Sequence, residues 1–301
     1  MKKYVIFTDS SSDLDKEDRD LYDIEYVKMH YSINGEQYDA DLDWQEMSFE
    51  EFYDTMRKGN RIITAQVNAA EYKLAFEKYL QEGYDILYLA CSSALSASVK
   101  SSCVARDELL AQYPDRKIIC IDALNSCMGL GILTITAAKL RAEGKTIEEV
   151  AAWVEDNRRY VRQEGTPEKL IWLKQAGRVS TGKAFFGGLL NIKPIIISDV
   201  HGANVSVESV KGRKASYVRI AERFKERFVP YDHQIIRIVH GDCLADAEEL
   251  AEEVRKVLPE GSKHLEIVIK KLGPIIGATC GPGLLGLFYF GTEETYDSLA
   301  Q

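Results

Sequence analysis

The sequence predicts an α/β protein of two domains, and three observations favour this fold class. In the first half, short apolar segments rich in β-branched residues alternate with helical patterns, as in βαβ units. In the second half, glycines punctuate the chain and a hairpin pattern accompanies the strands. Between the halves, the segment RQEGTP (162–167) contains a Gly-Thr-Pro break. We therefore expect an N-terminal domain over residues 1–164 and a C-terminal domain over residues 165–301.

The N-terminal α/β domain is expected to contain an open, doubly wound parallel sheet. The second and third of its predicted strands begin after polar turns and end in small hydroxyl or amide residues. The three predicted strands are KYVIFT (3–8), YDILYLAC (84–91) and KIICID (117–122). Helical periodicity predicts helices over 69–82, 96–112, 126–143 and 146–164.

The C-terminal domain is predicted to be an α+β domain with a mixed or antiparallel sheet. The segments NIKPIIIS (191–198) and ANVSVESV (203–210) flank the turn residues DVHG and predict a β-hairpin. Further along the chain, the pattern predicts a helix over 214–228, a strand over 234–242, a helix over 244–257, a strand over 264–270 and a terminal aromatic strand within LLGLFYF (284–290).

The composition is that of a globular protein that can bury a sizeable core, with 46% hydrophobic and 28% charged residues. No apolar stretch approaches the ~20 residues that a membrane span requires. The first apolar run is interrupted at Asp9, which is too early for a secretory signal. The six cysteines form no CxxC pair, so we expect reduced thiols. We therefore expect a cytoplasmic protein without stable membrane insertion.

The net charge of −9 is unevenly distributed along the chain. The acidic segment EQYDADLDWQEMSFEEFYD (36–54) is interpreted as a solvated face. Residues 165–230 hold 12 Lys and Arg against 5 Asp and Glu. Because the whole chain is acidic, this excess is weaker than the basic surface of a nucleic-acid-binding protein. An anionic small molecule or an acidic protein partner fits the charge distribution better, and we expect no nucleic acid partner.

Two phosphate-binding patterns are present, and neither has the structural context it requires. The segment GRVSTGKA (177–184) has P-loop spacing, but Ala184 stands where a nucleotide site needs a Ser or Thr hydroxyl. The segment GPGLLG (281–286) matches G-x-G-x-x-G, but a strand-like run follows it and too little chain remains for a βαβ unit. We expect no nucleotide cofactor, and no residues have the spacing of a metal site.

Three hydroxyl-rich segments are the candidate site: TDSSSDL (8–14), ITAQVN (63–68) and SSALSASVKSS (92–102). The first and third follow predicted strands, and the carboxyl ends of parallel strands converge on the crevice where ligands bind. Hydroxyls and helix N-terminal amides there suit a carboxylate or phosphate. The same residues are also the usual helix caps. From the residues alone, both interpretations stay open.

The chain resembles the DegV family of bacterial fatty-acid-binding proteins. The resemblance covers nearly the whole chain and is carried by seven segments in order: FTDSSSDL, TAQVNAAEY (64–72), LSASVKSS (95–102), KQAGRVS (174–180), LLNIKPII (189–196), KGRKA (211–215) and ATCGPGLLG (278–286). It implies two α/β domains with a long-chain fatty acid, such as palmitate, stearate or oleate, in a tunnel between them. It also implies a non-enzymatic protein that presents the bound carboxyl group to a separate fatty-acid kinase subunit.

The resemblance implies that Thr64 and Ser96 hold the ligand carboxylate through their hydroxyls, with Ala97 and Ser98 beside them. Ala97 replaces a family glycine, and Thr279 stands where the family has a histidine. The residues expected at the periphery of the site are Gln66, Arg178, Lys211, Arg213 and Thr279. The stretches 184–197 and 284–290 are expected to line the tunnel or to form plain core.

Two other functions are compatible with the same residues. Ser96 at a helix N-terminus could be the nucleophile of an esterase or thioesterase, although the sequence has no G-x-S-x-G motif. A phosphotransfer domain of related architecture would need a phosphorylatable histidine, and His240 at a predicted strand end is the candidate.

Overall fold

The computed structural model describes residues 3–180 and 191–300. Within these ranges the strands are β1 (Tyr4–Asp9), β2 (Ile24–Val27), β3 (His30–Ile33), β4 (Glu36–Asp39), β5 (Ile62–Ala65), β6 (Asp85–Ala90), β7 (Ile118–Asp122), β8 (Val161–Thr166), β9 (Val179–Ser180), β10 (Ile192–Ser198), β11 (Asn204–Lys211), β12 (Ile236–His240), β13 (Ile267–Lys271) and β14 (Leu285–Phe290). The helices are α1 (Lys16–Tyr22), α2 (Phe49–Arg57), α3 (Ala69–Gln81), α4 (Ser98–Leu110), α5 (Cys127–Ala142), α6 (Ile147–Asn157), α7 (Leu170–Ala176), α8 (Arg213–Arg227), α9 (Leu244–Val257) and α10 (Pro274–Cys280).

The first sheet is parallel, with the strand order β2-β1-β6-β7. Side chains alternate along β1, so that Ile6 packs with α5 and α6 on one face and Phe7 packs with α3 on the other. Helices on both faces make this a doubly wound sheet, which confirms the predicted fold class of the first half.

The second sheet is mixed, with the order β13-β12-β14-β8-β10-β11-β9. Its β10–β11 pair is the predicted antiparallel hairpin. One face packs against α8 and α9, and the other face packs against α5 of the N-terminal half. Helix α5 therefore lies between the two sheets, which explains why nearly all of its residues are buried.

The change from the first sheet to the second occurs before Val161. The predicted helix 146–164 ends at Asn157, and the next residues form β8, which pairs with β14 and β10. The expected domain boundary at 164/165 thus falls inside a strand of the second sheet. The helical pattern predicts an end that is too late, because the charged residues between Asn157 and residue 164 fit a helix surface and a strand equally well.

A third, antiparallel sheet with the order β4-β3-β5 was absent from the sequence prediction. The acidic segment 36–54, interpreted as a solvated face, contributes β4 and the start of α2, and acidic side chains such as Glu46, Glu50 and Glu51 are exposed. Phe49, Phe52 and Tyr53 of α2 are fully buried in an aromatic cluster. The Tyr53 hydroxyl donates to the Leu272 carbonyl at 3.1 Å, so this segment also joins the two halves of the molecule.

In the part of the chain that the structure describes, no helix combines the length and apolar character needed to cross a membrane. Among the same residues, no group of His, Cys, Asp or Glu side chains has an arrangement that could hold a metal ion.

Candidate functional site

The main cavity has a volume of about 580 Å³ and lies where the strand ends of the first sheet meet the second half of the chain. Hydroxyl-bearing turns and the small sheet supply one side, and α10 supplies much of the other. Its lining residues are Ser11, Met29, Thr64–Gln66, Cys91, Ser93–Ala97, Ser126, Arg178, Asn204, Ile275, Ile276, Thr279 and Cys280. Among these lining residues Arg178 is the charged one, so the described part of the cavity wall is otherwise neutral.

Thr64 is placed by the small antiparallel sheet. It lies in β5 opposite Tyr31 of β3, and its side chain is half-buried in the cavity wall. The next segment enters α3 through Asn68, whose side chain and Glu71 form a reciprocal capping box. The strand before Thr64 and the capped helix after it fix the backbone on both sides of the hydroxyl.

Ser96 lies in the turn that joins β6 to α4. The Ser96 amide donates to the Ser92 carbonyl at 3.0 Å, and the Ser96 hydroxyl accepts from the Ser98 amide at 3.3 Å. Ala97 is the N-cap, with φ −83° and ψ 16°. Alanine therefore replaces glycine at this position without strain, because no left-handed conformation is required.

Ser98 supports Ser96 from behind instead of facing the cavity. Its side chain is fully buried, and the Ser96 and Ser98 hydroxyl oxygens lie 2.8 Å apart. The structure thus brings Thr64, Ser96 and Ala97 together on the wall of one cavity and places Ser98 in contact with Ser96.

Three of the five expected peripheral residues line the cavity: Gln66, Arg178 and Thr279. The Gln66 amide donates to the Ser101 hydroxyl at 3.1 Å, and the Thr279 hydroxyl donates to the Ile275 carbonyl at 3.2 Å. The exposed Arg178 side chain donates to the Ala176 carbonyl at 2.8 Å.

Lys211 and Arg213 do not reach the cavity wall. Asn204 lines the cavity at the start of β11, and Lys211 ends that strand roughly 23 Å away at 3.3 Å per residue. Arg213 donates to the Gly283 carbonyl at 2.6 Å and pairs with Asp246 at 3.0 Å. Arg213 therefore stabilises the turn before β14, and the prediction of a peripheral position for these two residues is corrected.

A smaller cavity of about 40 Å³, here called the apolar cavity, adjoins the main one. Four residues border both cavities: Ser126, Asn204, Ile276 and Cys280. The rest of its wall is Cys127, Gln163, Gly165, Leu173, Val179, Ile196, Leu284–Gly286 and Phe288. The stretch predicted as tunnel lining at 284–290 therefore contributes to it, as does Ile196. Residues 184–190 of the other stretch lie outside the described residues.

The buried ionisable groups near the main cavity are held neutral or are enclosed by hydrogen bonds. Burial raises the pKa of the Asp9 carboxyl, which accepts from the Ser11 hydroxyl at 2.5 Å and from the Tyr88 hydroxyl at 2.8 Å. Burial also raises the pKa of the Cys91 thiol and raises that of Cys280 to about 12. Both thiols are therefore uncharged at neutral pH.

Asn204 and Ser126 line the site, although the residue patterns single out neither of them. Asn204 is positioned by the hairpin turn, where Gly202 has φ +77°. A Cβ at Gly202 would lie 2.8 Å from the Leu124 Cα atom, so the turn packs closely against the loop after β7. Asn125 and Ser126 follow the predicted strand 117–122, and both are buried. This Asn-Ser pair at a strand end was the signal in the sequence that could have indicated the loop.

The arrangement does not favour nucleophilic catalysis at Ser96. Its hydroxyl is paired with Ser98, and no histidine is among the described residues that line the cavity. His240 is buried beside Phe49, its Nδ1 atom accepts from the Cys243 amide at 3.2 Å, and burial lowers its pKa. The segment 281–286 leads directly into β14, as the sequence predicted, and residues 181–184 of the P-loop-like segment lie outside the described residues.

The fold and the two cavities define a three-sheet α/β protein with a site that is polar at one end and apolar at the other. The chain belongs to the DegV family, because the sequence model of this family of uncharacterised proteins matches residues 3–292. The resemblance seen in the sequence is thereby confirmed.

Relatives match over nearly the full chain. A DegV domain-containing protein of Clostridium perfringens is 39% identical over 294 residues, which are 98% of this chain and 99% of the relative. A DegV lipid binding protein of Thermotoga maritima is 25% identical, with a TM-score of 0.83 over 97% of this chain and 100% of that one. DegV of Bacillus subtilis, a fatty acid binding protein, has the same fold at 24% identity, with a TM-score of 0.81 over 97% and 100% of the two chains.

Proposed function

We propose that this protein binds a long-chain fatty acid, with its carboxylate between Thr64 and Ser96 and its alkyl chain extending through the main cavity toward the apolar cavity. The observation that carries this proposal is that the main cavity of about 580 Å³ has a hydroxyl-rich wall and shares Ser126, Asn204, Ile276 and Cys280 with the adjoining apolar cavity. A ligand with one polar end and one long apolar end matches that arrangement. The lipid and fatty acid binding of the Thermotoga maritima and Bacillus subtilis proteins supports the same ligand class.

The polar end would be held by neutral donors. A carboxylate removed from water needs several hydrogen bonds, and bonds to a charged group are shorter and stronger than neutral ones. The hydroxyls of Thr64 and Ser96 and the amide of Ala97, the N-cap of α4, can supply them, and the helix N-terminus adds favourable partial positive charge.

The apolar end supplies most of the binding free energy. Burial is worth about 0.8 kcal/mol per CH₂ group, so a sixteen-carbon chain gains roughly 10 kcal/mol before ordering costs are subtracted. Palmitate, stearate and oleate are therefore the ligands to test first. Nothing in this mechanism requires a cofactor or a covalent step.

The experiment is mass spectrometry of an organic extract of the purified protein, followed by incubation of the delipidated protein with palmitate, stearate and oleate. We expect about one fatty acid per chain. Recovery of no fatty acid, together with no uptake of any of the three, would contradict the proposal.

The second part of the proposal concerns a partner. We propose that the protein presents the bound carboxyl group to an ATP-dependent kinase subunit, which transfers the γ-phosphoryl group to a carboxylate oxygen and releases ADP. Its support is the neutral carboxylate site beside exposed Arg178 and the absence of a complete nucleotide motif in the sequence. The test is acyl phosphate formation, trapped with hydroxylamine, when a fatty-acid kinase subunit and ATP are added to the loaded protein. No product above the level with free fatty acid would contradict this role.

A further inference from the structure

The apolar cavity contains one polar group that a plain alkyl chain cannot satisfy. Gln163 of β8 lines this cavity, and its Nε2 atom donates to the Asn204 Oδ1 atom at 2.9 Å. Among the described residues, the Oε1 atom of Gln163 is buried and has no hydrogen-bond partner. Around it the wall is made of apolar side chains such as Ile196, Leu284 and Phe288. A buried amide group without a partner is costly, and a hydrocarbon chain packed beside it would keep it so.

Gln163 keeps one unpartnered polar atom whichever way the side-chain amides of Gln163 and Asn204 are oriented. If both side-chain amides were rotated, Gln163 would accept from Asn204 and its own NH₂ group would be without a partner. A hydroxyl both donates and accepts hydrogen bonds, so it can satisfy the carbonyl oxygen or the NH₂ group equally well. A carbon–carbon double bond can do neither.

The position of the amide pair indicates where along the ligand such a hydroxyl would lie. Asn204 and Ser126 border both cavities, whereas Gln163 borders the apolar cavity alone. The pair therefore lies beyond the carboxylate site of Thr64 and Ser96. A hydroxyl next to the carboxyl group would remain in the main cavity, and only one further along the chain would reach Gln163.

We propose that the preferred ligand of this site is a long-chain fatty acid with a hydroxyl group in the middle of its chain, recognised by Gln163 and Asn204. This inference rests on the proposed function, because it assumes the carboxylate site and the path of the chain. It adds the kind of fatty acid that binds, because the carboxylate site alone does not distinguish a hydroxylated chain from a plain one.

The test is competition between stearic acid and its 3-, 10- and 12-hydroxy derivatives for the delipidated wild-type protein, measured by displacement of a fluorescent fatty acid. One added hydrogen bond predicts roughly threefold to tenfold tighter binding of a mid-chain hydroxy acid than of stearic acid. The 3-hydroxy acid should show no such gain.

The Gln163→Met variant keeps the side-chain volume and removes the amide. Its ratio of affinities for the mid-chain hydroxy acid and stearic acid should fall to one or below, while stearic acid binds at least as well as before. Gln112→Met is the matched control, because Gln112 is exposed at the end of α4, and it should keep the wild-type ratio. The ratio of the two affinities does not depend on the fraction of folded protein, so partial unfolding of a variant does not change it. The comparison of the 3-, 10- and 12-hydroxy acids uses the wild-type protein alone.

Two results would overturn the inference in different ways. If stearic acid binds the wild type but no mid-chain hydroxy acid binds more tightly, the inference is wrong and the proposed function stands. If neither stearic acid nor any hydroxy acid binds, the proposed function fails and the inference fails with it.

Discussion

The two walls of the site, which comprises the main cavity and the apolar cavity, come from different parts of the chain and differ in chemistry. The polar wall consists of β5 with Thr64, the turn 91–97 and Ser126, and it presents hydroxyls and the N-cap residue of α4. The apolar wall consists of α10 and the inner face of the second sheet, with Ile276, Leu284 and Phe288. The first wall is built from strand ends and the second from the face of a sheet.

This difference shows how neutral groups can bind an anion at the edge of an apolar core. Strand ends and helix starts leave backbone amides free for a ligand, whereas a sheet face presents only side chains. Separate variants of the two walls should therefore have separable effects. A polar-wall variant should act on the carboxyl group of the ligand, and an apolar-wall variant should act on any ligand with the same alkyl chain.

The largest expected effect is on the apolar wall. Phe288→Ala should lower the free energy of unfolding by about 3–5 kcal/mol, because Phe288 is buried in the core between the two sheets. It should also weaken binding of stearic acid and octadecanol alike. Thermal or urea unfolding and ligand titration measure the two effects.

Phe224→Ala is the matched control for this variant. Phe224 is equally buried but lies in the cluster on the opposite face of the second sheet. It should destabilise the protein by a similar amount and leave ligand affinity nearly unchanged in the folded fraction. If the two variants weaken binding equally, the inner face of the sheet is not the apolar wall of the site.

The next largest effect concerns the polar wall. Thr64→Val combined with Ser96→Ala removes two hydroxyls, and each hydrogen bond to a charged group is worth about 1.5–3 kcal/mol. We expect stearic acid to bind at least tenfold more weakly, while octadecanol, which carries no charge, loses little. Equal losses for the acid and the alcohol would show that these hydroxyls do not hold a carboxylate.

A third prediction concerns the joint between the walls. The buried Asp13 carboxylate accepts from the Gly273 amide at 3.1 Å, just before α10. Burial raises the pKa of Asp13 from 3.8 to about 7. Between these pH values the folded protein keeps a proton that the unfolded chain has released. The stability due to the neutral carboxyl is therefore fully present below about pH 3.8 and is lost as pH rises through about 7.

The variant Asp13→Asn should remove this loss. The free energy of unfolding of the wild type should fall by about 2–4 kcal/mol relative to the variant between pH 4 and pH 8. The pKa values of Asp9 and Glu164 are also raised by burial, so only the difference between the two proteins isolates Asp13. Parallel stability curves in urea would mean that Asp13 does not titrate in this range.

The two walls also differ in how far the sequence could predict them. The strands and helices of the first sheet are strongly periodic, and their ends place Ser96 in the turn between β6 and α4. Asn34 and Gly35, both at positive φ, form the two-residue turn of the β3–β4 hairpin, a signal that the sequence prediction did not use. The β5 strand has no such local signal, because it pairs with β3 across a long stretch of chain. Neither the position of α10 nor that of Gln163 could be predicted from the sequence. Both depend on how the second half of the chain packs against the first half, which no local pattern determines.

The smallest expected difference between the two walls is in the alkylation rates of their cysteines. On α4, behind the polar wall, a hydrogen bond from the Cys120 thiol lowers the pKa of half-buried Cys103 to about 6. On the apolar wall, burial raises the pKa of Cys280 to about 12. Since the thiolate is the reactive form, iodoacetamide at pH 7 should alkylate Cys103 well before Cys280.

Peptide mass spectrometry over time measures both rates. Bound stearic acid should slow only the reaction of Cys280, which borders both cavities. Fast labelling of Cys280 in the loaded protein would mean that the alkyl chain does not pass this residue.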